Sequence, residues 1–225
     1  MKRRHFSAQL CGAGLGLATL GTGLGVISTQ AFGQRANPVE GTNYVKLARP
    51  VPSSVPAGKA VEVIEFMWYG CPHCYAFEPT LDAWQKKLPA DVAFRRVPVA
   101  FREEPFVAHQ RIYYALEALG QVDQMHRKVF FAIHNDRQRL DKPNDIAAFM
   151  AKNGIDSAKF LDAYNSFSVS TKCKQAAQLA SAYQIDGVPA LGVGGKYWTS
   201  GGLAGGAEQS LAVTEYLANL VRKGG

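Results

Sequence analysis

The stretch Glu65-Phe66-Met67-Trp68-Tyr69-Gly70-Cys71-Pro72-His73-Cys74-Tyr75, "EFMWYGCPHCY", decides the fold. It closes a run, Val61 to Trp68, that is apolar on both faces and so predicts a central, buried strand. Glu65 is the one exception on the core-facing side of that strand. Beyond Cys71 the spacing turns helical, with Tyr75, Leu81, Trp84 and Leu88 as packing positions. Pro72 suits a first helical position, because it has no N–H to leave unsatisfied there. Two cysteines two residues apart therefore stand where a buried strand hands over to a helix.

Working outward, Tyr44 to Leu47 reads as a short strand and Val92 to Val99 as a longer one. From about Pro105 to Asn165 the pattern is helical throughout, as in Val122, Met125, Val129 and Ile133. A further helix spans about Ser170 to Tyr183. Asp186-Gly187-Val188-Pro189 breaks the chain, and Gly194-Gly195 sits between two short apolar runs as a two-residue hairpin signal. A last amphipathic helix carries Val213, Leu217, Leu220 and Val221. This order gives an α/β fold whose sheet is interrupted by an all-helical insertion. The expected pieces are residues 32–104, the insertion at 105–168, and residues 169–225.

The N-terminus predicts an export leader. Lys2, Arg3 and Arg4 precede a small and apolar run, and no acid occurs before Glu40. Thr29-Gln30-Ala31 offers small residues for cleavage after Ala31, with Gly33 as the rival position. Arg3-Arg4-His5-Phe6 also resembles the start of a twin-arginine signal. Glycines stud the apolar run, which makes it a poor permanent anchor. Removing residues 1–31 takes three cations and no acid from the formal net charge of +7, leaving +4. That excess does not point to nucleic acid. It also removes Cys11, leaving Cys71, Cys74 and Cys173, an odd number for a compartment that permits disulfides. One pair and one leftover follows.

Three chemistries compete for the pair. A zinc site needs about four ligands; there is no second Cys-x-x-Cys, and His109, His126 and His134 are expected to decorate helix faces, so no metal is expected. A structural staple across so short a loop constrains little of the unfolded chain. A redox pair fits best. At a helix N-terminus, free N–H groups and the helix dipole stabilise a Cys71 thiolate, and His73 adds positive charge when protonated. Cys74, one turn in, is shielded and becomes the resolving thiol. Stabilising the Cys71 thiolate favours the reduced form, so the disulfide is an oxidant. Cys173, on an apolar helical stripe, is expected to be buried and inert. Trp68 and Tyr69 are expected to supply packing and part of an apolar rim.

Cys71-Pro72-His73-Cys74, preceded by "VIEF" and followed by "YAFEP", with Gly-Val-Pro-Ala downstream, resembles the DsbA family of periplasmic thiol:disulfide oxidoreductases. The resemblance covers the mature chain and implies a thioredoxin-like fold with a helical insertion. It implies that Val188-Pro189 forms a cis-proline loop facing the cysteines and pairing with substrate peptide. It implies that Glu65 is a buried acid exchanging protons near Cys74. Arg96 stands where the family often carries lysine and is left out of the expected site. The implied activity is donation of the Cys71–Cys74 disulfide to newly exported proteins, without a cofactor, by a periplasmic monomer that a DsbB-type quinone-linked membrane oxidase re-oxidises. An isomerase or reductase on the same fold, or a non-catalytic peptide-binding chaperone module, is the alternative.

Overall fold

The computed structural model describes residues 37–53 and 55–224; the expected leader lies outside them. Five strands form one mixed sheet: β1 Val45–Lys46, β2 Val61–Met67, β3 Val92–Pro98, β4 Ala190–Val193 and β5 Tyr197–Ser200, in the order β1-β5-β4-β2-β3. β2 and β3 are parallel, and the other neighbours are antiparallel. A parallel pair needs a crossover, and helix α1, Pro72–Gln85, supplies it. Every residue of β2 is buried, as expected for a strand covered on both faces.

The alternation of β2 sorts the core into two layers. Val61 and Val63 pack with Val193, Val213 and Leu217, the last two from α8, Ala207–Arg222. Ile64 and Phe66 face the opposite way, toward the helices that follow β3. Those helices are α2 Phe106–Ala118, α3 Val122–His134, α4 Pro143–Lys152, α5 Ser157–Tyr164 and α6 Phe167–Ala182. They lie in the chain between β3 and β4, where the helical insertion is expected. A short turn of helix, α7 Gly201–Ala204, precedes α8.

One boundary moved for a local reason. α6 begins at Phe167, ahead of the expected Ser170, because Ser166 Oγ accepts from the Val169 N–H and caps it. At the hairpin, Gly194 and Gly195 take φ of +59° and +69°, and the Lys196 N–H donates to the Val193 carbonyl. Positive φ at both central residues is what a tight hairpin turn needs.

Candidate active site

Strand β2 ends at Met67 and the chain turns through Trp68-Tyr69-Gly70. The Cys71 N–H closes that turn on the Trp68 carbonyl at 3.0 Å. Gly70 is required here, since a Cβ on it would lie 2.3 Å from the Trp68 indole. That indole stacks on Phe106 of α2 with centroids 3.9 Å apart. Cys71 is the N-cap of α1, and its Sγ accepts from the Cys74 N–H at 3.3 Å. Pro72 occupies the first helical position and His73 is exposed beside it. Both cysteines of the pair are free thiols, Cys71 at 6% exposure and Cys74 at 0%.

The two sulfurs are driven in opposite directions. A hydrogen bond from the Cys74 thiol is the largest cause that holds Cys71 down to about 6. Burial opposes it, and the N–H groups of Cys74 and His73 and the charge of His73 assist. Cys74 is pushed far above a normal thiol, first by burial and then by that same hydrogen bond and the charges of Glu65 and Cys71. One sulfur is thus a stable thiolate and leaving group, while the other is stable only as a thiol.

From the far end of the chain, the Val188 carbonyl oxygen stands 3.4 Å from Cys71 Sγ, which as a thiol donates to it. The Val188–Pro189 peptide is cis, as expected; Glu104–Pro105 is also cis, which was not anticipated. A groove of about 490 Å³ opens beside this loop, lined by His73, Phe77, Val188, Pro189 and Trp198 among others.

Behind the cysteines lies a buried ionic cluster. Glu65 is fully buried and is pushed up to about 8, chiefly by burial and by the charge of Glu78, against the pull of Arg96. Arg96, set aside on sequence grounds, belongs to this cluster: Nε donates to Glu65 Oε2 at 2.9 Å and Nη2 to Glu78 Oε2 at 3.1 Å and Asp82 Oδ1 at 3.2 Å. Strand register explains it, because Glu65 and Arg96 are direct partners across β2 and β3. Burial raises Glu78, but His126 and Arg96 outweigh it and hold that carboxyl below its usual value.

The histidines of the helical segment do not decorate helix faces. His126 is buried, with Nδ1 2.9 Å from Tyr69 Oη and Nε2 3.1 Å from Glu78 Oε1. His109 is buried too and donates from Nε2 to the Arg139 carbonyl. His134 donates from Nε2 to the Tyr69 carbonyl at 2.8 Å and stacks on Tyr75. Tyr69 is therefore fully buried between turn and helix and forms no part of a rim, while Trp68 is half-buried against Phe106. Cys173 is half-buried, not buried; burial still pushes its thiol up to about 11, which disfavours reaction. Glu78 and His126 are the site residues that sequence reading missed. The available signal was Glu78 itself, an acid four residues after Cys74 and so on the same helix face.

Comparison with known proteins finds a match to the model of the DSBA-like thioredoxin domain over residues 62–212. The thiol:disulfide interchange protein DsbA of Burkholderia cepacia is 44% identical over 206 residues, covering 92% of this chain and 96% of the relative. The protein of the same name from Azotobacter vinelandii is 46% identical over 206 residues, covering 90% and 94%. A crystal structure of Pseudomonas aeruginosa DsbA superposes with a TM-score of 0.77 at 46% identity, over 82% of this chain and 94% of that one.

Proposed function

The chain belongs to the DSBA-like thioredoxin family and is a thiol:disulfide oxidoreductase with that family's thioredoxin-like fold, and from that premise we propose how its residues divide the reaction. Cys71 is the sulfur that substrate attacks. A substrate thiolate bonds to Cys71 Sγ, the Cys71–Cys74 bond breaks, and its electron pair leaves with Cys74. Cys74 takes a proton from Glu65, the buried acid beside it. The substrate's second thiolate then attacks the substrate sulfur of the mixed disulfide, and Cys71 departs as a thiolate. Substrate leaves oxidised and the protein is left reduced.

The opposed proton affinities of Cys71 and Cys74 carry this reading. Access directs the first attack, since Cys74 is fully enclosed and Cys71 sits at the helix N-cap, and the low proton affinity of Cys71 then makes it the better leaving group in the second step. Pro72 and His73 tune Cys71 through the helix start, one by its missing N–H and the other by its N–H and charge. The apolar groove and the free side of the Val188 loop suit an extended, unfolded peptide held as an added strand. The substrates we propose are newly exported proteins in the periplasm, met by a monomer after removal of residues 1–31. Re-oxidation by a quinone-linked membrane enzyme of the DsbB type completes the cycle.

The test is trapping. Cys74→Ala is expected to accumulate a mixed disulfide between Cys71 and a reduced, unfolded protein, while Cys71→Ala accumulates none and does not oxidise that substrate. Equal oxidation by Cys71→Ala and wild type sinks the reading. The equilibrium with glutathione separates an oxidase from a reductase: an oxidase is reduced by the glutathione pool.

A further inference from the structure

Arg96 serves two buried carboxylates at once. Its Nε donates to Glu65 and its Nη2 to Glu78 and Asp82. Asp82 is partly exposed and also has the exposed Arg127 3.8 Å away. That leaves one buried guanidinium for Glu65 and Glu78, and a lone carboxylate in such a place is costly enough to stay protonated. The second buried cation available is His126, whose Nε2 is 3.1 Å from Glu78 Oε1 but not aligned for a hydrogen bond. Glu65 Oε1 likewise has no hydrogen-bond partner among the described residues, so it is the oxygen free to carry a proton.

Charge counting gives two neutral arrangements of this cluster. With Glu65 protonated and His126 neutral, Glu78 and Asp82 balance Arg96 and Arg127. With Glu65 ionised and His126 protonated, three carboxylates balance three cations. Both arrangements fit the surroundings of His126. Tyr69 Oη donates to a neutral Nδ1 or accepts from a protonated one. The other groups that face it are Glu78 from α1, Tyr113 of α2 at 6.0 Å between rings, and Phe130 of its own helix. A groove of about 360 Å³ adjoins the cluster, with Glu78, Arg127 and Phe130 in its lining.

We propose that His126 is a positioning residue for re-oxidation: its protonation claims Glu78, frees Arg96 for Glu65, and lets Glu65 ionise to act as the base for Cys74. This rests on the proposed roles of Cys71, Cys74 and Glu65. Take oxidised glutathione as oxidant, with the Cys71–glutathione mixed disulfide already formed. The Cys74 proton passes to the Glu65 carboxylate and Cys74 Sγ attacks Cys71 Sγ. The Cys71–Cys74 bond forms, the bond to glutathione breaks, and glutathione leaves as a thiolate that takes a proton from solvent.

The experiment follows closure of that mixed disulfide by rapid acid quench from pH 5 to 9. In His126→Gln, closure is expected to be about tenfold slower at neutral pH and to converge on wild type at high pH, with the base-dependent limb moved up by about one pH unit. In a Glu65→Gln background, adding His126→Gln is expected to change nothing further. A profile lowered equally at every pH, or unmoved, overturns the inference. If His126→Gln does not fold, carboxyl and imidazole resonances of wild type decide instead: Glu65 and His126 must titrate over the same pH interval, and independent titration overturns the inference. Mixed-disulfide trapping at Cys71 is scored on the same preparations. Its loss sinks the functional reading, whereas intact trapping with an unmoved limb sinks only the role of His126.

Discussion

Glu65 and Arg96 are register partners across the parallel β2–β3 pair, and Arg96 Nε donates to Glu65 Oε2 at 2.9 Å behind a reactive cysteine pair. The same guanidinium also holds Glu78 and Asp82, so its removal takes the cation from two buried carboxyl groups at once, the ionised Glu78 among them. Arg96→Met is expected to cost ~3–5 kcal/mol of stability, the usual penalty for breaking a buried pair from one side. Arg96→Lys should recover only part of it, because an ammonium cannot span the fork. Urea unfolding at pH 7 measures both. A loss below about 1 kcal/mol for Arg96→Met would place the cluster in effective contact with water.

Cys71 is expected to titrate at about 6 when followed by thiolate absorbance in the reduced protein. The order of its causes makes a sharper prediction than the value. Because the Cys74 thiol is the largest of them and His73's charge the smallest, Cys74→Ala should raise the midpoint more than His73→Ser does. The reverse order would mean that charge, not the hydrogen bond between sulfurs, sets the thiolate.

How stability depends on pH should differ in sign between the two key groups. Cys71 is depressed from 9.0 to about 6, so the reduced protein's stability from it is fully present above pH 9 and lost as pH falls through 6. Glu65 is raised from 4.5 to about 8, so its contribution is fully present below 4.5 and lost as pH rises through 8. The two oppose each other between pH 6 and 8 and hide in a raw profile. The stability difference between reduced wild type and Cys71→Ser should therefore grow from pH 6 to 9. The difference between wild type and Glu65→Gln should shrink from pH 5 to 8. Either slope with the wrong sign contradicts the assigned environment.

Much of this was legible because it is local. The switch from a doubly apolar strand to helical spacing places Cys71 at a helix start, and Gly194-Gly195 marks its hairpin without help from the rest of the chain. The DsbA resemblance supplied Val188, Pro189 and the burial of Glu65. What stayed hidden depends on contacts between distant segments. His126 lies 57 residues from Tyr69, its partner, and a histidine on an amphipathic helix looks the same in sequence whether it meets water or a buried acid. Only strand register reveals that Arg96 faces Glu65. The start of α6 is by contrast a local signal, since Ser166 is a good N-cap.

The β4–β5 hairpin also sets where the Val188 carbonyl stands, because β4 begins at Ala190, immediately after Pro189. Its turn is pinned from two sides: the Gly195 N–H donates to Tyr183 Oη at 3.0 Å, and the Gly195 carbonyl accepts from the Val51 N–H at 2.7 Å. A Cβ on Gly195 would lie 2.0 Å from the Val51 carbonyl oxygen, a backbone atom that cannot rotate away, and φ is +69°. Gly41, at φ +77° with nothing within 4 Å of an added Cβ, isolates the conformational part of the cost. Gly41→Ala should therefore cost ~1–2 kcal/mol. Gly195→Ala should cost a further ~1–3 kcal/mol from overpacking against Val51, measured by urea unfolding. The Cys71 midpoint should stay at about 6 in the folded Gly195→Ala protein, because the hydrogen bonds and charge that lower it all come from His73 and Cys74 in the first turn of α1. Equal costs at the two glycines would show that the Val51 segment yields, and that the loop carrying Val188 is not anchored through it.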